Sequence, residues 1–184
     1  CSRHGVLMIA DEVMCGSERC GTWRALEHDG VAPDIMAIAK GLGGGYLPLG
    51  AAVYHEDILQ TLIRHDGGPL TGHTFTAHTA ACAAGVAVQR IVERDGLVAR
   101  VKSEGEVLKG MLREALGKVE AVGDIRGRGF FVGVEFVADR TTRTPFDPAH
   151  MLSARIGKHG VQRGLMCYPI SGNIDGTRGD AVIL

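Results

Sequence analysis

Three places in the sequence carry residue types whose order suggests chemistry. Lys40 follows directly on the apolar run Ile35-Met36-Ala37-Ile38-Ala39 and precedes Gly41-Leu42-Gly43-Gly44-Gly45. An ammonium at the end of a strand buried in a sheet is costly. Desolvation there pushes the lysine pKa down and leaves a neutral amine for Schiff-base chemistry. The glycines let backbone approach a planar ligand and turn with positive φ. A phosphate-cradling P-loop has the opposite order, glycines first and then Lys with Ser or Thr. Asp11-Glu12 closes a second apolar run, residues 6–10, and ligands of open α/β sheets sit at the carboxyl ends of strands. The third place is His73-Thr74-Phe75-Thr76-Ala77-His78, just before an alanine-rich helical stretch. Hydroxyls and free N–H groups at a helix start suit a phosphate.

Each feature also has an ordinary reading. Asp11 can cap a helix or end a strand, Lys40 can open a flexible exposed loop, and Thr74 or Thr76 can serve as an N-cap. Taken together the three meet the needs of pyridoxal phosphate: an acid for the ring nitrogen, an amine for the carbonyl, and donors for the phosphate.

The run Ile9-Ala10-Asp11-Glu12-Val13-Met14, then Pro33-Asp34-Ile35-Met36 leading to Ala39-Lys40-Gly41-Leu42-Gly43-Gly44-Gly45, resembles the class-III aminotransferases of fold type I. His73–His78 running on to Ala81-Cys82-Ala83-Ala84 is similar to that family's interface segment, and Ile125-Arg126-Gly127-Arg128-Gly129 to the start of its C-terminal domain. The resemblance implies a Schiff base on Lys40, Asp11 paired with the pyridinium nitrogen, and Val13 against one ring face. It implies that Thr74 binds the phosphate of the other subunit's site, in a homodimer with shared active sites. The implied reaction moves an amino group from an amine or amino-acid donor to a keto acid. A mutase, decarboxylase or racemase of the same superfamily would keep the same Lys40 and Asp11, because the cofactor supplies the shared chemistry. A non-catalytic cofactor-binding or dimerisation piece, and a nucleotide-binding α/β module, are the readings from other classes. The latter lacks a G-x-G-x-x-G after a strand. Cys15, Ser17, Glu18 and Cys20 depart from the family's usual Thr, Phe or Gly after the acid, and Thr79 stands where proline is common. Arg178 is the candidate for binding a substrate carboxylate, through the bidentate fork of a guanidinium, with a turn-surface arginine as its alternative. His73, His78 and Tyr168 are read as capping and packing residues.

These residues need elements to hold them. Residues 6–10, 35–39 and 50–54 read as short strands covered on both faces, because they do not alternate. Helical patterns run over Thr22–Asp29, 55–64, 77–94 and 97–118, the last with Val101, Leu108, Met111, Leu112 and Leu116 on one face. Residues 125–129 read as a basic, glycine-broken loop. Residues 130–137 alternate as a half-buried antiparallel strand. A turn region over 139–148, a helix near 149–162 and a strand over 165–170 complete the order. The fold class is α/β: part of a mostly parallel-sheet cofactor-binding domain over 1–100, then an α+β small domain over 101–184.

Composition narrows the function classes. The chain has 184 residues, 45% apolar and 22% charged, with a formal net charge of −1. That balance suits neither a nucleic-acid binder nor a partner of anionic membranes, both of which need a basic excess. No apolar run nears the ~20 residues of a membrane span. The 27 glycines are about twice the usual share. Five scattered cysteines do not form a disulfide framework and suit a cytoplasmic setting. Cys15, Cys20 and His28 are too loosely spaced for zinc, so no metal is expected. The chain begins with Cys and both ends run as apolar strands, which reads as a piece of a longer, two-domain chain.

Overall fold

The computed structural model describes residues 1–69 and 71–184. They form two compact units, Cys1–Val101 and Lys102–Leu184.

The first unit is organised on a three-stranded sheet ordered β1-β2-β3, with β1 Ile9–Asp11, β2 Ile35–Ile38 and β3 Ala51–Tyr54. β1 and β2 are parallel, with Asp11 opposite Ala37, and β3 runs antiparallel to β2, with Ala51 opposite Ile38. The central position of β2 buries Met36 and Ile38. Helices α1 Glu56–Asp66 and α2 Thr79–Arg94 follow, and α3 Leu97–Leu116 leads out of the unit. α2 supports the turn that carries Lys40. A Cβ at Gly85 would lie 2.5 Å from Leu49 Cδ2, so a larger residue there would make the Leu49 side chain shift, and Gln89 Nε2 donates to Leu42 O at 3.4 Å.

Two expectations for this unit change. The first strand is shorter than residues 6–10, because β2 offers pairing only to Ile9–Asp11 and Val6 and Leu7 stand exposed. Nor are these strands covered on both faces: Ile9 is 68% exposed, and Ala51, Ala52 and Val53 are exposed on β3. Apolar composition permits double burial, but it does not supply the covering layer.

The second unit is an antiparallel sheet ordered β4-β5-β7-β6, from β4 Val122–Arg128, β5 Phe131–Phe136, β6 Tyr168–Ser171 and β7 Asp180–Ile183. Val122, Ile125, Val132 and Val134 form its core, with Leu108, Leu112, Leu116 and Phe136 packed on them. Met111, placed on that helical face by its spacing, is instead exposed. Residues 125–128 are strand rather than loop. Gly127 sits in the ladder at φ 150°, where a Cβ would come within 2.1 Å of Phe131 O, so its glycine marks close backbone approach and not a break. The Lys109 Nζ donates to Gly127 O at 3.0 Å and pairs with Glu106 at 2.6 Å, which accounts for a lysine buried on α3. Helix α4, Leu152–Gln162, is held by Asp180, whose buried Oδ1 accepts from Ser153 N and Oγ.

Candidate active site

Asp11 ends β1, and Lys40 follows the end of the neighbouring parallel strand β2 by two residues. Glu12 N donates to Ala37 O at 2.9 Å, which extends the β1–β2 pairing one residue past Asp11. Side chains alternate across a strand, and here Glu12 is buried while Asp11 is exposed and Val13 half-buried. Asp11 Oδ1 accepts from Val13 N at 3.0 Å, which fixes the carboxylate at the strand end and leaves its other oxygen open. Lys40 opens a 3-10 turn over Lys40–Gly43 with φ 47°, a left-handed conformation that costs a non-glycine residue roughly 1–3 kcal/mol. Leu42 N to Ala39 O and Gly44 N to Gly41 O close that turn. The Lys40 amine has no hydrogen-bond or ionic partner among the described residues. Lys40 is also exposed, so the burial expected for it from the preceding strand is absent. The turn lifts the residue off the end of β2.

Around this pair the loop from 13 to 24 contains two buried side chains without partners, Ser17 Oγ and Glu18 Oε1. Ser17 lies under the Lys40 turn, since a Cβ on Gly41 would meet Ser17 Cβ at 3.0 Å. Burial pushes the Glu18 carboxyl up to about 7. Burial, and then the hydrogen bond to Glu12, push the Cys15 thiol up to about 11, so it stays protonated and donates.

Thr74 is exposed on a turn where Thr76 Oγ1 accepts from His73 N at 2.8 Å. Neither threonine caps α2. His78 does, its Nδ1 accepting from Ala81 N at 3.3 Å. The segment around Thr74 lines an open cavity of about 1070 Å³, with Leu47, Pro48, Tyr54 and Phe75 among its walls and neither Asp11 nor Lys40. Arg178, in the second unit, is tied within its own turn: its Nε donates to Asp175 Oδ2 at 2.6 Å. Donors from Arg178 and Thr177 hold the Asp175 carboxyl well below the usual carboxylate range. The loose Cys15, Cys20 and His28 set does not converge. His28 Nε2 is 2.9 Å from Cys20 O, and no metal-binding group of three occurs among the described residues.

The family model for aminotransferase class-III matches residues 1–174. The chain belongs to the class-III aminotransferases. It is 41% identical to the uncharacterized aminotransferase YodT of Bacillus subtilis over 184 residues, covering all of this chain and 41% of that protein. It superposes with a TM-score of 0.89 on an aminotransferase crystal structure from Bacillus anthracis, 32% identical, covering 100% of this chain and 41% of that one. A PLP-bound amine transaminase from an uncultivated Pseudomonas species gives 0.87 and 34%, covering 100% and 40%. This class-III aminotransferase chain thus spans about two fifths of the length of the relatives it matches, and its fold is that of fold type I transaminases. No helix among its described residues is long and apolar enough to cross a membrane.

Glu12 and Glu18 are buried carboxylates close to Asp11 and the Lys40 turn that sequence reasoning did not single out. Glu18 had a visible signal, a carboxylate where the family's segment usually has Thr, Phe or Gly. Glu12 had none beyond its place beside Asp11.

Proposed function

We infer that the whole protein is a pyridoxal-phosphate-dependent transaminase, with Lys40 and Asp11 in its cofactor site. The observation that carries this is Lys40 itself: a strained lysine with no ionic partner, at a strand end beside an exposed, pre-oriented carboxylate. Strain of this kind persists only where the surroundings over-determine it. The donor set fits the cofactor, offering an uncommitted amine and a carboxylate with one oxygen open. Pyridoxal phosphate, when bound, supplies an electron sink for the bond-breaking step. Lys40 Nζ would hold the cofactor covalently and would take up and return the proton moved in transamination. Asp11 would hold the proton of the ring nitrogen in place, and Val13 would pack on one face of the ring.

Thr74 serves the phosphate in the other subunit's site of a homodimer. Its exposure, on a segment that lines a cavity without Lys40 or Asp11, supports that division. Residues 1–100 are then the later part of the cofactor-binding domain and 101–184 part of the small domain. Arg178 is the substrate-carboxylate residue, and a substrate must compete with Asp175 for it. The five free cysteines suit a reducing, cytoplasmic setting. The substrates are an amine or amino-acid donor and a keto-acid acceptor. Incubating the protein and cofactor with donor amine and pyruvate or 2-oxoglutarate should yield the amino acid of the acceptor. Racemised, rearranged or decarboxylated donor with no transfer would contradict transamination.

A further inference from the structure

We propose that Glu12 is a positioning residue for this site, clamping from behind the strand end that presents Asp11 and Val13. The proposal rests on the assignment of Asp11 and Lys40 to the cofactor. Glu12 is 1% exposed, and each of its polar atoms is committed. Its N–H donates to Ala37 O, and its carbonyl accepts from Gly16 N at 2.9 Å. Its Oε2 accepts from Ala25 N at 2.9 Å and from the Cys15 thiol at 3.3 Å, and its Oε1 from Leu26 N at 3.0 Å.

These bonds converge on the site from its far side. Because Asp11 and Val13 flank Glu12 on the opposite face of the chain, rotation of Glu12 would turn both. The carboxylate also ties the 13–24 loop back to β1, and that loop carries Ser17 against Gly41, next to Lys40. Gly16 shows how tight the fold-back is, since a Cβ there would lie 2.6 Å from Glu12 O. One buried carboxylate therefore sets the acid directly and supports the lysine turn through Ser17. These hydrogen bonds hold a strand end that has only β2 as a neighbour among the described residues.

The test uses the holoenzyme. Borohydride reduction and peptide mapping of the wild type come first, and a label anywhere but Lys40 overturns the functional reading and this proposal together. With Lys40 labelled, Glu12→Gln is measured. A glutamine side chain has one acceptor and an NH2 that faces a donor, so it cannot satisfy both N–H groups. The expected result is a fall in kcat of about tenfold with little change in donor KM. The pH midpoint of the bound cofactor's visible absorption should shift by about half a unit as Asp11 leaves the ring nitrogen. Ala25→Pro is the second variant, and it decides if Glu12→Gln does not assemble. It removes one donor to Glu12, at the first position of the 3-10 turn and after an extended Arg24 (φ −121°, ψ 138°), where proline fits. It should shift the midpoint in the same direction by less. Wild-type midpoint and kcat with only a lowered unfolding temperature would overturn the proposal and make Glu12 purely structural.

Discussion

In the second unit Val122, Ile125, Val132 and Val134 are almost closed to solvent and meet Leu108, Leu112 and Leu116 of α3. In the first, Ile9, Val53 and Phe75 stand 68%, 45% and 76% exposed. The second unit packs that one face of its sheet with its own residues, although Met111, Met151, Val161 and Met166 elsewhere in it stay exposed. The first carries Asp11, Lys40 and Thr74, and its edge strand β3 is exposed along Ala51, Ala52 and Val53. Its polar residues are used differently too. Lys109 in the second unit is buried and bonded to Gly127 O and Glu106, whereas Lys40 is exposed, strained and without a hydrogen-bond or ionic partner among the described residues. Fold and function are therefore separable, and substitutions in the two units should report on different things.

Lys40→Ala should break function and spare the fold. Turnover should fall at least about 10³-fold, since both its covalent hold and its proton transfer are lost. The unfolding midpoint of the cofactor-free protein should stay put, because Lys40 has no hydrogen-bond or ionic partner among the described residues to lose. A large stability change would erase the contrast between the units. Val132→Ala should do the reverse. Val132 is wholly buried, and removing two carbons from this core costs about 2 kcal/mol in a denaturant titration, with turnover per folded molecule retained.

The smallest effect sharpens the contrast by pH. Glu18 has its folded pKa raised from 4.5 to about 7 by burial without a partner. The folded state therefore binds a proton that the unfolded state has released, and stability declines as pH rises from about 4.5 to about 7. Glu18→Gln should flatten that slope and raise stability above pH 7. An unchanged slope would mean that Glu18 is not the titrating group.

Much of this was legible in advance, for physical reasons. Lys40 and Asp11 stand out because each ends an apolar run, and a strand end is a fixed place in a sheet. The alternation of 130–137 placed Val132 and Val134 inward without any need of context. Readings failed, or a feature went unseen, where a partner or a turn decides the outcome, as with the burial expected of Lys40. The 125–128 strand was hidden by Gly127 and Gly129, whose role is close approach to β5. The cover expected over β1 and β3 depends on residues that the pattern cannot supply. Glu12 is invisible as a clamp because Ala25 and Leu26 reach it only once the loop has folded back. The anchoring of Arg178 to Asp175 is local, yet sequence alone gave the arginine no reason to pair there.

The proposal that the exposed Lys40 is the covalent cofactor residue is tested by incubating the protein with pyridoxal phosphate, reducing it with borohydride and mapping the peptides. The expected result is a single pyridoxyl label on the peptide containing Lys40, lost in Lys40→Ala. A label on another lysine, or no label in protein that has bound the cofactor, would contradict it.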